Sequence, residues 1–478
     1  MGGHSFPTFP HEPNLRTTQH SSVSANPPSP LKVLDLFAGC GGLSHGFEQA
    51  GFRVVAANDL FKEAAQTHQA NHPHSRFFLG SITDPNVRAS IVAHCKEVGC
   101  DVIVGGPPCQ AYSLAGKRDV DDERGRLFED YVEMVNALRP KVFVMENVKG
   151  LLSIKHDRED LTPEEEAELE RFKDLEREQR ELRLKRKQNK NTDRIPFSAE
   201  DAGRLREVDR MLRDLRDHLN QYREPVTAQI IRRFHELGYR VEFRLLNAAD
   251  FGVPQKRERV IFIGTRLDVD IRFPERTHAD HSGDGLASDV PEIKQRRRGR
   301  PPKARSMLPS LFDDGPLEDR IQVVDRAEVA LTSVDRLLKP WMTTREAIDD
   351  LRDRPEDKKW MHVFSKHKPD FIERLEKTPV GGNVYEGYSD AWYRQPPDEP
   401  SRTVKENHGG VFVHYAEPRV MTPRELARLQ SFPDDFTFKG SKGKVLKQIG
   451  NAVPPLLGKA IGEAIMEMIE EASGEAGS

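Results

Sequence analysis

Cysteine is scarce in this chain of 478 residues: Cys40, Cys95, Cys100 and Cys109 are all it has. Four thiols make no disulfide framework at this length, and their closest spacings lack the partners of a zinc site. That argues against a disulfide-stapled secreted scaffold and for a reducing compartment, the cytoplasm, with no metal expected. Long apolar runs are missing too, so neither a transmembrane segment nor a secretory signal is expected. Excess positive charge is also missing, since 73 Lys and Arg stand against 77 Asp and Glu, a formal net charge of -4. The chain is therefore not a uniformly basic nucleic-acid binder, and any such contact falls to local patches. The length leaves room for two or three domains around a sizeable core.

What is present is a set of strand ends that carry chemistry. Val102–Val104 runs into Gly105-Gly106-Pro107-Pro108-Cys109-Gln110. Two glycines let the backbone pass close to a ligand, and two prolines fix φ and remove amide donors, so the turn is stiff and holds one sulfur in place. Taken alone, Cys109 reads equally well as a buried structural thiol. A second apolar run, Val142–Met145, ends on Glu146, a carboxyl placed to act as an acid. A third segment, Gln255-Lys256-Arg257-Glu258-Arg259, enters Val260–Ile263, and strand alternation puts Gln255, Arg257 and Arg259 on one face. Thiol, carboxyl and paired guanidinium suit nucleophilic attack on an electron-poor ring, with acid assistance and charge stabilisation. For the two arginines the alternative is a structural salt bridge to Glu258 or a neighbour.

Upstream, a strand over 31–37 runs into Ala38-Gly39-Cys40-Gly41-Gly42 and a helix over 43–50. This turn lacks the full G-x-G-x-x-G spacing that cradles a pyrophosphate. A second strand, 53–57, ends at Asn58-Asp59, where an acid can bond both hydroxyls of a ribose. Ribose without pyrophosphate fits S-adenosylmethionine better than NAD.

Read in order, Asp35-Leu36-Phe37-Ala38-Gly39-Cys40-Gly41-Gly42, Gly106-Pro107-Pro108-Cys109-Gln110, Glu146-Asn147-Val148, Gln255-Lys256-Arg257-Glu258-Arg259, Arg402-Thr403-Val404 and Gly450-Asn451-Ala452-Val453-Pro454-Pro455 resemble the DNA (cytosine-5) methyltransferase family. Thr422-Pro423-Arg424-Glu425-Leu426-Ala427-Arg428-Leu429-Gln430-Ser431-Phe432-Pro433 is typical of its bacterial, restriction-modification members. The resemblance spans Leu31 to about Gly150, about Pro225 to Gly264, and about Gly381 to the C-terminal helix. It implies an α/β fold: a Rossmann-like, doubly wound, mostly parallel sheet with a helical-hairpin insertion and a smaller, irregular target recognition domain. It implies S-adenosylmethionine as cofactor, with Phe37 against it, Gly39, Gly41 and Pro108 in the turns beside it, Asp59 on its ribose and Asn451 at its methionine end. Family members carry an acid after the third strand for the adenine amino group. Here that place holds Ser81, a departure, with Asp84 nearby.

The resemblance also implies a mechanism and a partner, double-stranded DNA. Cytosine carbon 5 inside a duplex is too buried and too poor a nucleophile to take a methyl group, so the base leaves the stack. Cys109 adds to carbon 6, Glu146 bonds ring nitrogen 3 and the exocyclic amine, and Arg259 lies against the ring oxygen with Arg257 alongside. Gln110 contacts the DNA. A cognate restriction endonuclease or other defence proteins are the implied companions. An RNA methyltransferase of the same superfamily shares the catalytic set, and a silent DNA-binding relative shares the fold. The long recognition region argues against the first, and the presence of both Cys109 and Glu146 against the second.

By composition, 1–30 is a disordered segment and 31–150 the first part of the core, within which Lys117–Arg126 reads as a lid over the flipped base or as a plain solvated loop. Residues 151–225 form a charged helical hairpin: Thr162-Pro163-Glu164-Glu165 is a capping box, and Leu205, Val208, Leu212, Leu215, Leu219 and Tyr222 recur at threes and fours as in a coiled coil. A solvated hairpin and a docking or dimerisation arm both fit. The core resumes over 226–265. Residues 266–400 take the place of the recognition domain and hold the most basic run, 294–305, in which Arg298-Gly299-Arg300-Pro301 resembles an AT-hook or is a basic linker. Residues 401–478 close the core, Arg402 supporting the recognition domain and its DNA, and a helix over 456–471 packs beside the first strand.

Overall fold

Apolar strands alternating with helices build a wound sheet. The strands are β1 (Lys32–Leu36), β2 (Arg53–Asp59), β3 (Arg76–Leu79), β4 (Val102–Gly105) and β5 (Val142–Val148). Between them run α1 (Gly42–Gln49), α2 (Lys62–Asn71), α3 (Pro85–Val98) and α4 (Leu127–Leu138). After β5 come a short pair, β6 (Lys155–Asp157) and β7 (Arg223–Pro225), with α5 (Pro163–Asn191) and α6 (Ala199–Leu219) between them. The core then resumes with α7 (Val226–Glu236), β8 (Arg240–Asn247) and β9 (Glu258–Thr265). This computed structural model describes residues 29–108, 127–158, 160–191, 197–281, 337–386, 392–406 and 412–474, and Leu31–Ser478 make up the unit discussed below.

The sheet order is β3-β2-β1-β4-β5-β9-β8. Neighbours pair in parallel except around β9, which is antiparallel to both β5 and β8. The winding direction reverses between β1 and β4, which opens a crevice at their C-terminal ends. Helices cover both faces, so the strands are apolar along their length and not alternating. On one face Ile91, Tyr131, Met134, Ile230 and Phe234 pack against Leu34, Ile103 and Phe143. On the other, Leu43, Phe47, Leu457, Ile461 and Ile465 pack against Val33, Val104 and Val144. Leu457, Ile461 and Ile465 belong to α12 (Pro455–Ala472), the last described helix, which packs onto α1.

The insertion is an antiparallel pair of helices. Thr162 and Glu165 cap α5 reciprocally, as do Ser198 and Asp201 for α6. Leu205, Val208, Leu212 and Leu219 are buried with Leu169, Phe172 and Leu175 of the facing helix. Ion pairs and hydrogen bonds link Glu168 with Tyr222, Glu178 with Arg204, and Lys185 with Asp201, fixing the opposed direction.

The rest of the chain is short elements: β10 (His278–Ala279) with β11 (Lys339–Pro340), α8 (Thr344–Ile348), α9 (Pro369–Lys377), and β12 (Tyr393–Arg394) with β13 (Phe412–Val413). Of these, α8, β12 and β13 share a core of Ile348, Tyr393, Phe412, Phe432, Phe436 and Ile449 with α10 (Pro423–Leu429) and α11 (Lys442–Asn451). No described helix is long and apolar enough to cross a membrane. The segment 1–28, the loop Lys117–Arg126 and the AT-hook-like Arg298 and Arg300 lie outside the described residues.

Candidate active site

The crevice at the β1/β4 reversal is lined by left-handed turn residues. Phe37, Gly39 and Gly41 have φ of 58°, 54° and 95°. At Gly41 a side chain is barred twice, because an added Cβ would sit 2.7 Å from Nε2 of His72. Asp59, at the end of β2, closes the turn: its Oδ2 accepts from the Gly39 amide at 2.9 Å and its Oδ1 from the Phe61 amide at 2.8 Å. Burial pushes its carboxyl above the usual range, against the pull of those two amides. Each oxygen keeps a second lone pair, so the acid remains competent to accept from ribose hydroxyls. Ser81 is engaged locally, its hydroxyl 2.7 Å from that of Thr83. Leu60 (69% exposed) and Leu79 (51%) lie bare beside Asp59 at this rim. They form an apolar shelf for a flat ring, which motif reading missed because a lone leucine after a strand has no sequence signature.

Beneath the turn lies a buried relay. The Ser44 hydroxyl donates to Oδ2 of Asp35 at 2.6 Å and sits 3.1 Å from Nε2 of His68. Burial raises the Asp35 carboxyl to about 7. Above pH 4 the unfolded chain ionises this group while the folded one does not, so stability falls as pH rises from about 4 to about 7. At about 1.4 kcal/mol per pH unit the fall is on the order of 4 kcal/mol. Asp35→Asn will flatten that part of the profile, and paired thermal melts of wild type and variant between pH 5 and pH 8 check it.

The reactive edge forms where β4, β5 and β9 end together. Glu146 of β5 faces Ile261 of β9 and Val148 faces Arg259, so Glu146 and Arg259 are diagonal neighbours on one face. Nε of Arg259 lies 2.6 Å from Oε1 of Glu146, both side chains mostly but not fully buried. This is an ion-pair contact without an aligned hydrogen bond, because the same Nε has no hydrogen-bond partner. The guanidinium also donates to the Glu258 carbonyl at 2.7 Å. Gly106 presses on the carboxylate from the β4 side, where a Cβ would come within 2.8 Å of Oε2. Asn147, a neighbour the sequence did not mark as functional, donates to the Pro107 carbonyl at 3.0 Å and ties the β4 turn to β5. Cys109 and Gln110 follow Pro108 directly and lie outside the described residues. Gly106→Ala will therefore displace the carboxylate at little cost to the fold. The expected result is a loss of roughly 100-fold in kcat with an unchanged melting temperature, read by steady-state kinetics and calorimetry.

Arg257 does not join this pair, which corrects the expectation that both guanidinia share one face. The strand begins only at Glu258, so strand alternation does not reach back to residue 257. Its guanidinium turns inward, donating to the carbonyls of Val404 (3.0 Å) and Gly450 (3.2 Å). Burial, with Arg259 next, holds it below its ordinary range. Gln255 does the same work one step earlier. It accepts from the Val404 amide and donates to the Leu429 carbonyl and the Gln430 side chain. Arg402 stacks 3.6 Å above the Tyr393 ring, and Asn451 donates to Glu406 at 3.0 Å. Thus Gln255 and Arg257 position the loop that carries Arg402 and the end of α11 that carries Asn451.

A comparison with known proteins adds the decisive observation. The model of the family described as C-5 cytosine-specific DNA methylase matches residues 31–172 and 214–467. The chain belongs to this family. The methylase is 30% identical over 445 residues to the Type II methyltransferase M1.HphI of Haemophilus parahaemolyticus, covering 92% of this chain and 87% of that protein. To the Type II methyltransferase M.DdeI of Desulfomicrobium norvegicum it is 30% identical over 453 residues, covering 91% and 88%. Its fold is similar to that of a DNA modification methyltransferase encoded within an E. coli prophage, with a TM-score of 0.52, 22% identity, and coverage of 92% and 99%. The stretch between the two matched parts, residues 173–213, runs from within α5 to within α6.

Proposed function

We propose that this methylase transfers a methyl group from S-adenosylmethionine to carbon 5 of a cytosine flipped out of a specific duplex site, with Cys109 as the nucleophile. The observation that supports it most is the Glu146–Arg259 pair seated against Gly106, on the turn that leads into Cys109. The crevice suits the cofactor. Gly39 has open space where a side chain would stand, Asp59 has free lone pairs, and Leu60 and Leu79 offer an apolar shelf. Phe37, Gly41, Ser81, Pro108 and Asn451 complete its surroundings. Bound there, S-adenosylmethionine supplies an electrophilic methyl group on a positively charged sulfur.

The chain's own residues do the rest. The Cys109 thiolate adds to carbon 6, and electron density moves onto nitrogen 3 and carbon 5. Glu146, carrying a proton, donates it to nitrogen 3 as charge develops there and accepts from the exocyclic amine, taking the proton back when the ring is restored, while Arg259 turns toward the ring oxygen. Once methylated, carbon 5 loses its proton to water, the carbon–sulfur bond breaks and the 5,6 double bond returns. Gln110, Arg298, Arg300 and Arg402 bind the duplex, the last held ready by Tyr393. Residues 266–400 read the site, and a companion endonuclease in the same cytoplasm cuts that site when it is unmethylated. Bisulfite sequencing of DNA from cells expressing the protein tests this directly. A single recurring methylated sequence is expected; its absence refutes the proposal.

A further inference from the structure

Charge along α5 is segregated. Residues 163–176 hold nine charged side chains, seven of them acidic, and residues 177–190 hold nine, seven of them basic. The helix dipole favours this direction of charge, but its influence fades within the first and last turns. It does not account for a basic stretch of about four turns. Part of that stretch is neutralised by the hairpin itself, Lys185 by Asp201 and Arg183 by Asp209. Arg180, Arg186 and Lys187 are exposed and in no ion pair among the described residues. Arg180, Leu184 and Lys187 recur at helical spacing along one side of α5, with Arg186 exposed farther around the helix, and Leu184 is 55% exposed. Glu181 and Glu200 are the acids left nearby.

The root of the hairpin matters as much as its tip. β6 begins nine residues after Glu146, so the arm leaves the core beside the edge at which the target base reacts. Of its 29 residues, the free cations stand roughly 25–35 Å along the helix at about 1.5 Å per residue. At about 3.4 Å per base pair, that is a reach of about 8–10 base pairs.

We infer that the exposed basic face near the tip of α5 binds the phosphate backbone of the duplex flanking the target site. This rests on the DNA methyltransferase reading and adds to it a second footing that clamps the duplex without reading its sequence. Three phosphate contacts steepen the dependence of log affinity on log salt by up to about 2.7, at roughly 0.9 per contact.

The test uses the full chain and duplexes of about 14 and about 40 base pairs centred on an unmethylated target cytosine. Wild type is expected to bind the long duplex at least tenfold more tightly near 0.15 M salt, with the steeper slope. The triple variant Arg180→Gln, Arg186→Gln, Lys187→Gln should lose both advantages, while its affinity for the short duplex, its methylation of it and its melting temperature stay at wild-type values. A variant that keeps the wild-type slope on the long duplex overturns the inference, as does a wild type indifferent to duplex length. Loss of a dimer in sedimentation velocity, without a change in slope, assigns this face to a second copy and overturns it too. Methylation of the short duplex by wild type is independent of the arm, so its failure would instead overturn the methyltransferase reading.

Discussion

Cys109→Ala will abolish methyl transfer, with turnover falling by at least about 10,000-fold, while affinity for duplex DNA stays within a factor of a few. The loss is expected to be this complete because no other described thiol can stand in. Cys40 lies in the glycine-rich turn after β1, but it is buried under α11, its sulfur donates to the Gln448 carbonyl at 3.7 Å, and burial pushes it up to about 12. Cys95 is buried under the sheet. Cys100 is held well above the usual thiol range by its hydrogen bond to Cys95 and by burial. A thiol that stays protonated is neither a nucleophile nor a leaving group. Incorporation of labelled methyl groups into duplex DNA reads the first quantity and fluorescence anisotropy the second. Retained turnover would remove Cys109 from the mechanism.

Arg257→Ala is expected to lower stability by about 3–5 kcal/mol, because it leaves the buried carbonyls of Val404 and Gly450 without donors and empties the volume of a guanidinium. Calorimetry should show a fall of roughly 3–5 °C. Arg257→Lys should recover little, since one ammonium cannot meet two carbonyls in the paired geometry of a guanidinium. This separates the inward-facing arginine from Arg259. If Arg257 instead touched the base, its replacement would lower kcat at an unchanged melting temperature, and the positioning role would be wrong.

The limits of sequence reading follow the distance over which each contact acts. The strands and helices of the core are visible because their apolar runs and caps are local, and the expected boundaries at residues 31–37 and 43–50 fall within a residue or two of β1 and α1. The meeting of Glu146 and Arg259 is also visible, since each ends or begins an apolar run that must be a buried strand. Arg257 is not, because its acceptors lie 147 and 193 residues away and nothing in Gln255-Lys256-Arg257 marks where the strand begins. Asp59 shows the same limit at shorter range. Its acid character pointed to ribose, but only the fold reveals that it also caps the amides of Gly39 and Phe61.

Asp157 and Arg223 face each other across the β6/β7 ladder and form an ion pair at 3.2 Å. The whole of 158–222 therefore departs from and returns to the core at one point, no wider than the spacing between adjacent strands. A peptide turn of two residues can span that gap. Such an appendage can be acquired, shed or exchanged during evolution without shifting a single rung of the central sheet. A shortened chain, with 157 joined to 223 through a tight turn, should fold as an independent methylase.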